Sequence, residues 1–121
     1  MKAFLRGIFA FFFAFSMITA SLHAQKAQPS FSDVDPIFKA RCVECHSGIR
    51  PAAGFRVNGY KEVMAGGKDG PVIVKGDPGN SALVTRIKGL TTPRMPKDGP
   101  PWLSENEVKL LESWIAAGAP M

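Results

Sequence analysis

A chain of 121 residues with 12 glycines and 10 prolines has room for one small core, and two cysteines allow at most one internal disulfide. The formal charge is +5, but the basic residues are scattered and never cluster with aromatics. That pattern argues for a solvated surface and against a nucleic-acid partner.

The first 24 residues form a unit of their own. Lys2 and Arg6 give a positive start, Gly7 to Ala20 is an almost unbroken apolar run, and Ser21 to Gln25 is a small, polar exit. This order predicts a signal peptide over 1–24, cleaved after Ala24. An uncleaved anchor is the competing expectation, but the run spans roughly 21 Å as a helix against about 30 Å of hydrocarbon core. Cleavage removes Lys2, Arg6 and His23 and lowers the formal charge from +5 to +3. It leaves no segment for stable membrane insertion.

Residues 25–31 read as a flexible lead-in, and 32–121 as one domain. Ser32-Asp33-Val34-Asp35-Pro36 predicts a helix start, with Val34, Ile37, Phe38 and Val43 as its apolar face. This helix is expected to run through Cys42–Cys45 and to stop near Gly48. Ser47 to Gly59 reads as loop, and Tyr60 to Ala65 as a short helix stopped by Gly66-Gly67. Val72-Ile73-Val74 is an extended apolar stretch before the turn Gly76-Asp77-Pro78-Gly79. Asn80 or Ser81 then caps a helix through Leu83, Val84 and Ile87. Pro93, Pro96, Pro100 and Pro101 exclude regular structure from Thr91 to Pro101. The clearest helix starts at the capping box Ser104-Glu105-Asn106-Glu107 and ends at Gly118. Two terminal helices, one or two short ones between them, and long loops make a weak core for this size, which a large apolar cofactor would reinforce.

Cys42-Val43-Glu44-Cys45-His46 carries the chemistry. Two thiols at this spacing match the two vinyl groups of one porphyrin edge, and the histidine that follows is positioned to reach the iron. A disulfide across so short a loop would remove little chain entropy. A structural zinc site or an iron–sulfur cluster wants four ligands, and after cleavage the chain offers two cysteines and one histidine. A thioredoxin-like pair belongs at a helix start after a strand, whereas this pair sits late in a helical segment. The expectation is one haem c, covalently attached through Cys42 and Cys45 and ligated by His46. The attachment chemistry operates outside the cytoplasm, which agrees with the export signal and a bacterial periplasmic location.

With His46 the only histidine beyond the cleavage point, the second iron ligand must come from Met64, Met95 or Met121. Met64 lies in a short helix, where core packing is the expected role, and Met121 is terminal. Met95 sits in Thr92-Pro93-Arg94-Met95-Pro96-Lys97, where flanking prolines stiffen the presentation of a weak thioether ligand. Met95 is therefore the expected ligand. Arg50, Arg56, Tyr60, Arg86 and Trp102 are candidates for hydrogen bonds to haem propionates.

The ordered residues from Phe38 through Cys42-Val43-Glu44-Cys45-His46, Gly66-Gly67, Val74-Lys75-Gly76-Asp77-Pro78, Ser81-Ala82-Leu83, Arg94-Met95-Pro96, Leu103-Ser104 and Trp114 to Ala119 resemble class I cytochromes c. The resemblance is closest to the planctomycete-type cytochrome c domain. It implies a small all-α fold wrapped around one haem, with His46 and Met95 as axial ligands and electron transfer as the role. Redox proteins are then the expected donor and acceptor, and Lys68, Lys75, Lys88, Arg94 and Lys97 could steer an acidic partner. No general base or nucleophile has an evident partner, so a carrier rather than an enzyme is expected. The competing functions are an electron-relay subunit of a larger oxidoreductase, a gas-binding or sensor haem domain with Met95 off the iron, and a haem-free disulfide module. Co-purification with a catalytic chain, carbon monoxide binding, or a colourless preparation would favour each in turn.

Overall fold

The computed structural model describes residues 27–121; the expected signal peptide over 1–24 lies outside the described residues. Four α-helices follow in order: α1 (Phe31–Arg41), α2 (Tyr60–Ala65), α3 (Ala82–Ile87) and α4 (Glu105–Ala116). Single 3-10 turns lie at Ala52–Gly54 and Pro78–Asn80. There is no strand among the described residues, so the architecture is all-α, as the residue pattern predicts.

Helix α1 begins two residues earlier than a cap at Ser32 would start it. Ser30, not Ser32, is the N-cap, and the Asp33 carboxylate accepts from Ser30 N at 2.7 Å and from Ser30 Oγ at 3.0 Å. Those bonds to the charged form hold the Asp33 pKa below its ordinary value. Pro36 consequently falls in the helix interior, on the exposed side. The other end also differs, since α1 stops at Arg41. Phe38 O accepts from both Cys42 N (2.9 Å) and Val43 N (3.0 Å), which widens the ladder by one residue. Cys42 then leaves helical geometry at φ −129°.

Helix α4 has the expected box: Ser104 Oγ accepts from Glu107 N at 3.2 Å, and Ser104 N donates to Glu107 Oε2 at 2.8 Å. Its end is a Schellman motif. Gly118, at φ +95°, lets Gly118 N reach Ile115 O and Ala119 N reach Trp114 O, each at 2.9 Å.

The core lies where α1 packs on α4, with α3 against the other flank of α4. Phe38 and Trp114 are fully buried and meet edge to face at 6.2 Å between centroids. Phe31 packs on both rings and on Tyr60. The C-terminal segment locks this cluster: Phe31 N and Trp114 Nε1 both donate to Pro120 O, at 2.9 and 2.8 Å, and Tyr60 OH donates to Ala119 O at 2.9 Å. Trp114 and Tyr60 are thereby assigned to the helix interface.

Ser81 caps α3 by position, yet its side chain faces the other way. Fully buried, its Oγ accepts from Val74 N at 2.9 Å and donates to Asp77 O at 2.9 Å, tying the extended 72–74 segment to the helix. Asp77 caps the preceding 3-10 turn by accepting from Asn80 N (3.1 Å) and Asn80 Nδ2 (2.7 Å), which lowers its pKa.

Candidate haem site

Cys42 to His46 forms a separate turn beyond α1. Cys42 O accepts from Cys45 N at 3.3 Å and from His46 N at 2.9 Å, so both thiols and the imidazole ride on one compact loop. The thiols are free, Cys42 half-buried and Cys45 exposed. Burial pushes the Cys42 thiol up to about 11, because the thiolate would lose its hydration there.

The segment after the turn folds back around His46. Ala52 N donates to Cys45 O and Val57 N to His46 O, both at 2.9 Å. This brings two carbonyls to one ring atom, with His46 Nδ1 3.1 Å from Ala52 O and 3.2 Å from Phe55 O. A ring nitrogen facing two carbonyls must carry the proton, so Nδ1–H donates and Nε2 keeps its lone pair for a metal. Phe55 lies edge-on to the imidazole at 5.2 Å and restrains its rotation.

Gly66 and Gly67 support this wrap. Gly66 takes φ +77°, and the turn carries Lys68 N to Ala53 O at 2.9 Å. A Cβ on Gly67 would stand 2.7 Å from Ala53 O and 3.2 Å from Phe55 Cβ. In the sequence these glycines read only as a helix stop. Their further role is the close approach of two backbone segments beneath His46.

Met95 belongs to a different segment, the long loop between α3 and α4. It is half-buried and packs against the core, as does Met64, whereas Met121 is 79% exposed. The loop hangs from the end of α3: Leu90 N donates to Thr85 O at 2.8 Å and Met95 N to Arg86 O at 3.0 Å. A cavity of about 380 Å³ has the end of α1 with Val43 and Glu44 on one wall and Pro96, Asp98 and Pro101 on the other; neither His46 nor Met95 lines it. Arg41 Nη2 spans it by donating to Pro101 O at 2.6 Å.

The remaining expectations for propionate contacts divide. Arg56 donates to Gly48 O and Ile49 O, and Arg86 to Pro93 O; Arg50 is exposed. Trp102 lies beneath the Arg94 guanidinium at 4.1 Å. Of the expected steering charges, Lys88 is paired with Glu112 at 2.8 Å and Arg94 is stacked, which leaves Lys68, Lys75 and Lys97 exposed.

The donor set fits a covalently held haem. Two free thiols three positions apart share one turn with an imidazole whose Nδ1 is engaged by two carbonyls, and a half-buried thioether lies on the loop after α3. In addition, the buried Nε–H of Arg94 has no partner among the described residues, a donor suited to an anionic group such as a propionate. An all-α domain with this turn is a haem-binding c-type cytochrome domain.

A family model described as planctomycete cytochrome C matches residues 42–99. The matched stretch, which includes both the cysteine turn and Met95, is consistent with a planctomycete-type cytochrome c domain. No curated protein and no solved structure matches the chain. Among the described residues, no helix is long and apolar enough to cross a membrane.

Proposed function

We propose that the protein is an exported, monohaem c-type cytochrome that carries one electron at a time between redox proteins. It acts as a carrier rather than an enzyme, and the bacterial periplasm is its location. Cys42 and Cys45 hold the haem by thioethers, and His46 and Met95 are the iron ligands. The observation that carries this reading is the tethered imidazole, whose Nδ1–H is engaged by Ala52 O and Phe55 O while Nε2 is left for iron beside two free thiols. The bound haem supplies a reversible one-electron couple.

The protein's part is to keep coordination unchanged as the charge changes. Two carbonyls on Nδ1–H fix the tautomer and the orientation of the ring. Met95 as the second ligand would favour the reduced iron and a high potential. Lys68, Lys75 and Lys97 supply positive charge that acts on the rate of encounter with an acidic partner.

Acid organic solvent is the test. Haem should stay with the polypeptide, and replacing both Cys42 and Cys45 by alanine should release it; complete extraction from the wild type would end the covalent reading. For the ligand, Met95→Ala should abolish the weak near-infrared sulfur-to-ferric-iron band and open the reduced form to carbon monoxide. Met64→Leu conserves volume and should cost less than about 1.5 kcal/mol with the band intact. A band that survives Met95→Ala and vanishes in Met64→Leu would reverse the assignment.

A further inference from the structure

The loop that carries Met95 has little apolar anchorage of its own. Thr91, Thr92, Pro93, Lys97 and Asp98 are exposed, and Met95 is only half-buried. A thioether is a weak ligand, and its hold on a metal depends on how narrowly its carrier is confined. What confines this loop is a pair of arginines, Arg86 at the end of α3 and Arg94 next to the methionine in the chain.

Arg86, the penultimate residue of α3, acts twice. Its carbonyl accepts from Met95 N at 3.0 Å, and its Nη1 donates to Pro93 O at 3.3 Å. One residue therefore grips the chain at two points within three residues. Arg86 is itself fixed, because Val84 and Ile87 beside it are buried in the core. Arg94 adds a second hold. Its guanidinium lies over the Trp102 ring at 4.1 Å, and Trp102 precedes the buried Leu103 at the start of α4. The aliphatic stem of Arg94 also lies so close to Gly89 that a Cβ there would meet Arg94 Cδ at 2.8 Å. Met95 is thus tied to α3 through Arg86 and towards α4 through Arg94.

We propose that Arg86 and Arg94 are positioning residues that hold the Met95 thioether in place as an iron ligand; the proposal rests on the reading of Met95 given above. Neither touches the iron. Each limits how far the sulfur can withdraw, and so sets how readily an external ligand replaces it. A cation–π contact and a hydrogen bond of these kinds each correspond to a several-fold change in such a competition.

The experiment is titration of the ferric holoprotein with imidazole, followed through the shift of the main visible haem absorption, with loss of the sulfur-to-iron band as a second readout wherever Met95 is present. Arg86→Met and Arg94→Met should each bind imidazole about threefold to tenfold more tightly than wild type. Arg86→Lys keeps a donor for Pro93 O and should stay near wild type. In Met95→Ala the thioether is gone, so adding Arg86→Met should change imidazole affinity no further. Wild-type affinity in both single variants overturns the proposal. So does an equal effect of Arg86→Met with and without Met95, since the arginine would then act on the iron pocket by another route. If Met95→Ala itself leaves the band and the affinity unchanged, the ligand assignment has failed instead, and that outcome is separately visible.

Discussion

Replacing Gly67 by alanine should disturb the imidazole more than its distance along the chain suggests. The added Cβ would sit 2.7 Å from Ala53 O and 3.2 Å from Phe55 Cβ. The first neighbour is backbone, already accepting from Lys68 N at 2.9 Å, and cannot swing aside as a flexible side chain would. Relief requires the 52–55 segment to move, and that segment supplies both carbonyls that hold His46 Nδ1. Overpacking of this kind costs about 1–3 kcal/mol. In a domain of this size that lowers Tm by roughly 4–8 °C for each kcal/mol. Thermal and denaturant unfolding of the holoprotein measure it, with Gly79→Ala as control, because a Cβ there meets only Asp77 Oδ1 at 3.6 Å. If Gly67→Ala unfolds within about 0.5 kcal/mol of wild type, the close approach does not support the site.

Ser81→Ala should cost about 1–3 kcal/mol in urea unfolding, since it leaves Val74 N without its buried acceptor; a cost below about 0.5 kcal/mol would show that another group or water takes its place. In the haem-free chain, iodoacetamide at mildly alkaline pH should label the exposed Cys45 well before Cys42, whose thiol is pushed up to about 11 by burial. The same shift has a defined sign for stability. Folding holds the Cys42 proton more tightly than the unfolded chain does, so its contribution is complete below the ordinary thiol value of 9.0 and is lost as pH rises from there through about 11. A haem-free Cys42→Ala variant should lack that alkaline loss.

The features that were legible in the sequence are those that arise within a few residues. Ser104 and Glu107 make a reciprocal cap three positions apart, and the pattern around them admits no other start. The Cys-x-x-Cys-His spacing is likewise local, and all three side chains fall on one turn. The residue pattern misplaces the start of α1 at Ser32, because the true cap at Ser30 is fixed by which backbone N–H the Asp33 carboxylate reaches. Long-range features left no such trace. Ser81 looks like a helix cap, and only its burial against the 72–74 segment reverses that role. The acceptors of His46 Nδ1 are backbone carbonyls, which every residue possesses, so nothing in the letters singles out Ala52 and Phe55.

The two walls of the site are built differently, and the difference predicts where each fails. The cysteine turn and its wrap are joined mainly by main-chain bonds, from Ala52 N to Cys45 O, Val57 N to His46 O and Lys68 N to Ala53 O. Side-chain substitution leaves such bonds standing, so this wall is vulnerable chiefly where a new side chain would part the backbones, as at Gly67. The opposite wall relies on side chains: Arg86 on Pro93 O, Arg94 over Trp102, and Arg41 on Pro101 O. Side-chain contacts of that kind are individually weak and are lost by single substitutions. Damage to the first wall should therefore show as lost stability and a disturbed imidazole, and damage to the second as a loosened thioether on a protein that remains folded with its haem attached.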